Sequence, residues 1–260
     1  MKKICLLIAA FVICCSLSAQ ETRYFNAADL TVIGKPIPTS KDFTRIDTSA
    51  YKFNDKVIDE YACHSTGLAV LFATDSPLIK ARWVTSEKNA SENMTAIAQK
   101  GLDLYIKKDG EWVFAGVGRP EMADGPAYDR HEGTIVKSMA PGRKECLMYL
   151  PLYDRLDSLF IGVEEGSYVE PLENPFKYRI VVKGSSVTHG LAASRPGMSY
   201  AHVSAVTTDS TASIWVSAEN QSFRRSMRGI LLISRMLMRL SLTPFRILQP
   251  KSSTRISIVL

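Results

Sequence analysis

Histidine is scarce in this chain, with four in 260 residues, at positions 64, 131, 189 and 202. Cysteine is almost as rare, and Cys5, Cys14 and Cys15 fall inside the apolar leader. The remaining pair, Cys63 and Cys146, has no metal-ligand spacing, which excludes a zinc or iron–sulfur framework. No metal or cofactor is expected. In an oxidising compartment the two thiols can bridge; in a large domain they are as readily buried and unpaired. Long hydrophobic runs are absent beyond the N-terminus, so no permanent membrane span is expected. Glycine nearly vanishes after residue 203, where only Gly229 remains. Net basic charge is missing from residues 1–200, where Lys and Arg balance Asp and Glu. Residues 201–260 hold eight Lys or Arg against Asp209 and Glu219, which accounts for the whole net charge of +6. No stacking aromatic pattern accompanies that basic stretch, which excludes a nucleic-acid partner.

What is present begins with an export signal. Lys2 and Lys3 precede an apolar run from Ile4 to Cys15, followed by the small residues Ser16, Ser18 and Ala19. This three-part design is too short to span a bilayer permanently and predicts cleavage after Ala19. The expected location is secreted or periplasmic. Cys14 and Cys15 raise a lipoprotein alternative, which the residues preceding each disfavour.

From about 26 to 172 the pattern is one of short alternating strands bounded by turn residues. Gly67–Ala73 ends at Thr74-Asp75-Ser76-Pro77, and Leu78–Thr85 follows with Trp83. Gly101–Ile106 meets Trp112-Val113-Phe114 across Lys108-Asp109-Gly110, a strong hairpin signal. Further strands are read at 133–138, 145–150 and 158–163. With no helical period between them, they predict a jelly-roll-like β-sandwich over residues 20–174. Pro171, Asn174 and Pro175 then punctuate the chain, and the pattern changes at Phe176.

Tyr178–Val182 is a continuous apolar strand running into Gly184-Ser185-Ser186-Val187-Thr188-His189-Gly190, with a helix expected around Tyr200. That is how the first βα unit of a parallel sheet opens. The turn places Ser186 at the strand's C-terminal edge, where open α/β sheets bind ligands. A hydroxyl there, just before a helix, has backbone N–H groups directed at whatever it attacks.

Two segments together resemble a known family. Gly101-Leu102-Asp103-Leu104-Tyr105 matches the G-x-D-L-Y signature of the β-sandwich that precedes certain secreted bacterial SGNH (GDSL-like) hydrolases. Gly184–Gly190, continued by Ala193-Ser194-Arg195-Pro196-Gly197-Met198, resembles their nucleophile block. The resemblance covers roughly Tyr51 to Tyr200. It implies a flavodoxin-like, three-layer α/β hydrolase domain after the sandwich, with Ser186 as nucleophile and its backbone N–H as one oxyanion donor. It also implies an acyl-ester substrate, most naturally a carbohydrate ester. Gly184, Thr188, Gly190 and Arg195 would support the turn, while Gly101, Asp103 and Tyr105 would be structural. The family takes further oxyanion donors from a Gly and an Asn in two later blocks, and its base from an Asp-x-x-His near the C-terminus. None of these blocks is present in this sequence, and neither His189 nor His202 stands in the required context. His64 and His131 read as sandwich or interface residues, and Trp83 and Trp112 as core. The alternative to an esterase is a non-catalytic carbohydrate-binding or accessory sandwich.

An α/β domain of this type takes roughly 150–250 residues, and residues 203–260 do not resemble one. Gly229–Leu242 can be read as a basic amphipathic or membrane-surface segment. The genetic code offers another account. Reading from the third base of the Trp215 codon gives an obligatory Gly, and the neighbouring codons permit Gly-Phe-Ser-Gly, which resembles the family's second block. The same shift from Gly229 to Ile247 permits a buried strand ending in Asp, then Asn. The expectation is therefore a first βα unit at 175–202, an out-of-frame tail at 203–260, and an incomplete hydrolase domain.

Overall fold

The computed structural model describes residues 21–216 and 255–259, apart from 38, 40, 41, 52–54, 87–91, 122–128, 208 and 209. The stretch read as an export signal and most of that beyond 216 lie outside the described residues.

Two antiparallel sheets form a β-sandwich. The first is ordered β1 (Thr22–Asn26), β9 (Leu156–Glu164), β4 (Ile79–Thr85), β7 (Arg130–Val136). The second runs β3 (Ala69–Thr74), β8 (Lys144–Tyr149), β5 (Leu102–Lys108), β6 (Glu111–Gly118). β2 (Thr31–Ile33) and β10 (Val169–Pro171) share the outer edge of β3, β2 along Ala69–Leu71 and β10 along Phe72–Thr74. The Asp109-Gly110 hairpin is where the sequence puts it. Both residues take positive φ, 52° and 88°, the mirror-image turn whose twist suits two paired strands.

The burial of each strand shows which face is covered. β4 alternates, with Ile79, Ala81 and Trp83 in the core and Arg82 exposed, because its sheet meets solvent on one side. β3 is buried at every position. Val70 and Phe72 join the inter-sheet core with Trp83, Leu104 and Met148. Ala69 and Leu71 face the other way, against Leu147, Tyr149, Leu172 and Phe176. The second sheet is thus covered on both sides, by the sandwich core within and by the chain leaving the sandwich without.

Two short helices interrupt what the sequence suggests is an all-strand region. α1 (Lys56–Cys63) is capped by the Asp55 carboxylate, which accepts from the Val57 and Ile58 amides. α2 (Ala96–Lys100) is capped by Thr95. Each is too short to reveal a helical period, so only the capping residues could have marked them. Cys63 and Cys146 are unpaired.

β11 (Tyr178–Gly184) then lies between two parallel neighbours, β12 (Ser210–Val216) and β13 (Arg255–Val259). Both come from the stretch read as out of frame. Ile214, Val216, Ile256, Ile258 and Val259 give them strand propensity whatever frame wrote them. No helix among the described residues is long and apolar enough to cross a membrane.

Candidate active site

Ser186 begins the four-residue helix α3 (Ser186–His189) directly after β11. Three motif residues explain the shape of this turn. A Cβ on Gly184 would sit 1.9 Å from the Thr188 hydroxyl, so the strand end must be glycine because Thr188 folds back over it. The reason is close approach rather than a left-handed backbone. Thr188 is held there by a 2.7 Å hydrogen bond with the Tyr200 hydroxyl. Gly190 ends α3 in the left-handed conformation, φ 103°, and a Cβ there would also strike the Leu152 side chain at 2.7 Å.

Leu152 belongs to the sandwich, and so do most of the groups that hold the turn. The Tyr153 hydroxyl donates to the Ser186 carbonyl at 2.8 Å. His189 is fully buried, its Nε2 2.8 Å from the Thr66 hydroxyl and 3.2 Å from His64 Nδ1. The Thr95 hydroxyl donates to the Ser194 carbonyl at 2.7 Å. Tyr61, Leu152, Tyr153, His64 and Thr66 are residues that sequence reasoning did not single out for the site. They come from distant segments, and nothing local marks them. His64 proves to be an interface residue; His131 lies in the sandwich beside Trp83, bonded to Thr85. Trp83 is buried in the core, and Trp112, partly buried, stacks on Phe176.

The two signature motifs also meet. Asp103 accepts from the Gly197 amide at 2.8 Å and from Arg195 at 3.2 Å. Burial pushes the Asp103 carboxyl up to about 6, while Arg195, the Gly197 amide and the Tyr105 hydroxyl pull it back. It therefore meets Arg195 as a carboxylate at neutral pH.

Beyond this loop, Ser199 caps α4 (Tyr200–Thr207) by accepting from the His202 amide at 3.4 Å. The His202 ring is 1% exposed and tilts onto Tyr149 with centroids 4.3 Å apart. Its Nδ1 lies 2.9 Å from the Pro196 carbonyl, which can only accept, so the neutral ring carries its proton on Nδ1. Burial lowers the His202 pKa from 6.5 to about 4. A histidine depressed in the folded state contributes stability above its unfolded pKa and loses it as pH falls through the folded value. The chain should therefore lose stability between pH 6.5 and 4. Thermal unfolding across that range should show a smaller loss in His202→Asn, whose amide nitrogen can replace Nδ1. The comparison isolates His202 from Asp103, whose raised pKa contributes in the opposite sense, and from His131, lowered to about 4 by burial.

The fold is thus a β-sandwich docked against a three-stranded parallel sheet and a serine turn. The family model described as GxDLY, the N-terminus of SGNH hydrolase-type esterases, matches residues 22–169, and the chain belongs to that family. Among solved structures, a GDSL-like lipase from Bacteroides ovatus is 41% identical, with a TM-score of 0.71 over 75% of this chain and 57% of that one. The salicylyl-acyltransferase SsfX3 of a tetracycline biosynthetic pathway shares the fold at 19% identity and a TM-score of 0.56, covering 75% of this chain and 54% of that one. The chain thus spans little more than half the length of these structures. No curated protein matches it.

Proposed function

We propose that residues 175–202 are the nucleophile unit of an exported serine acyl-ester hydrolase, and that the chain as it stands has lost the partners that make the serine reactive. In the intact lineage Ser186 attacks the ester carbonyl, an acyl-serine forms as the alcohol leaves, and water releases the acid. Carbohydrate esters are the substrate class that the family resemblance and export suggest, and the Met1–Ala19 leader favours export. Support for the nucleophile comes from the turn, which puts Ser186 at the C-terminal end of a parallel strand and fixes it from the sandwich.

The state of the four histidines carries the second half. His64, His131, His189 and His202 are 3%, 3%, 0% and 1% exposed. Each ring has a partner other than Ser186: His64 with His189, His189 with Thr66, His131 with Thr85, His202 with Pro196. A serine hydroxyl of ordinary pKa needs a base within hydrogen-bond reach, and these four rings do not supply one.

The frame explanation for residues 203–260 has a direct test. The coding DNA from codon 195 past the stop should, read one base out of register, continue into Gly-Phe-Ser-Gly, a strand ending before Asn, and an Asp-x-x-His. An early stop in that frame, or no Asp-x-x-His, would refute it.

A further inference from the structure

We propose that the Gly101–Tyr105 strand is a latch that positions the nucleophile turn, with Asp103 and Tyr105 gripping the loop after α3 through Arg195 and Gly197. The strand is built for this. Leu104 points into the sandwich core, so Asp103 and Tyr105 share the opposite face. A register shift between Leu104 and Tyr105 leaves Ala115 of β6 as the extra residue, and such bulges re-aim the side chains beside them. Gly101 is forced, since a Cβ there would lie 2.6 Å from the Ile97 carbonyl and 2.7 Å from that of Gly118.

The grip itself has four parts. Asp103, wholly buried, receives the Gly197 amide and Arg195. The same Arg195 nitrogen donates to the Tyr105 oxygen at 3.1 Å. The guanidinium lies 4.2 Å from the centroid of the Phe114 ring, where the negative ring face attracts it. Gly197 cannot be larger, because a Cβ would approach the Tyr105 hydroxyl at 2.6 Å and Asp103 Oδ2 at 2.8 Å. This explains why the two signatures occur together in one chain: each is the other's binding site.

The latched loop, residues 191–199, joins the nucleophile turn to α4. Its near end is pinned by Leu152 against Gly190, its middle by Thr95 on Ser194, and its far end by Asp103. The sandwich also holds the turn itself, through Tyr153 on the Ser186 carbonyl. Asp103 and Tyr105 are therefore positioning residues, not catalytic ones. Calling the turn a nucleophile turn rests on the reading of Ser186 above, but the latch does not need turnover to be tested.

Hydrogen exchange of the full chain, read by peptide, separates a latch from a general stabiliser. Asp103→Ala should speed exchange across residues 186–199 on the order of tenfold to a hundredfold, the loss of hydrogen bonds to a charged group. β3 and β8 should keep their protection. Asp103→Asn, which can still accept from Gly197, should recover most of the difference. Arg195→Ala, at a side chain 22% exposed, should loosen the same segment and decides the matter if Asp103→Ala does not fold. Unchanged exchange at 186–199, or an equal increase in β3 and β8, overturns the latch. Neither result depends on whether Ser186 is a nucleophile.

Discussion

Asp154→Ala should unfold in urea with a stability about 3–5 kcal/mol below that of the unaltered chain. Asp154 and Lys100 are a buried ion pair, 1% and 2% exposed, with Nζ 3.3 Å from Oδ2. The pair sits where three parts of the sandwich converge. Lys100 ends α2 and donates to the Ser86 carbonyl at 2.6 Å. Asp154 Oδ1 accepts from the Ser86 hydroxyl at 2.6 Å and from the Arg155 amide at 2.8 Å, tying the end of β4 to the turn before β9. Burial raises the Asp154 pKa, while the Ser86 bonds and Lys100 lower it. Removing the carboxylate takes an ion partner 3.3 Å away from a buried ammonium that also bonds to the Ser86 carbonyl and the Thr85 hydroxyl. The penalty is that of a buried ion losing its carboxylate, not the worth of the pair. Replacing both residues together, Lys100→Met with Asp154→Leu, should therefore cost less than Asp154→Ala alone. Stability equal to or above that of the parent in Asp154→Ala would show that Lys100 is not confined as described. A loss of this size is a large fraction of a typical domain's stability of about 5–15 kcal/mol.

Neither Lys100 nor Asp154 was visible in the sequence, and the reason is general. The signals that could be read were local. The Asp109-Gly110 turn, the alternation along β4 and the apolar run of β11 each follow from neighbouring residues, and each is found in the structure. Lys100 before Gly101 and Asp154 after Tyr153 have no such pattern; only the fold brings them together. The site divides in the same way. Gly184, Thr188 and Gly190 mark the turn because they shape it themselves. Tyr153, Thr66 and His64 hold that turn from the sandwich, far away in the chain, and a one-dimensional reading had no means of pairing them with it. Arg195 lies between the two cases. Its role in supporting the loop was expected, but Asp103 as its partner emerges only when β5 is placed beneath residues 195–197.

The other large effect concerns chemistry. Removal of the base from a serine hydrolase lowers kcat by as much as about 10⁶-fold. All four histidines are buried and bonded elsewhere, and on the proposed reading the later blocks that would supply oxyanion donors are written out of frame. On the reading proposed above, Ser186 is held in place from the sandwich and lacks only its activation. Supplying the later blocks should restore function without altering residues 1–202. The rate of p-nitrophenyl acetate hydrolysis, compared across four chains, tests this most directly: the chain itself, its Ser186→Ala variant, and each with the coding frame shifted by one base after codon 202. The expected result is background hydrolysis from the first two, turnover from the frame-shifted chain, and loss of that turnover with Ser186→Ala. Hydrolysis by the unshifted chain that vanishes with Ser186→Ala would contradict the account, as would a folded frame-shifted chain whose rate does not depend on Ser186.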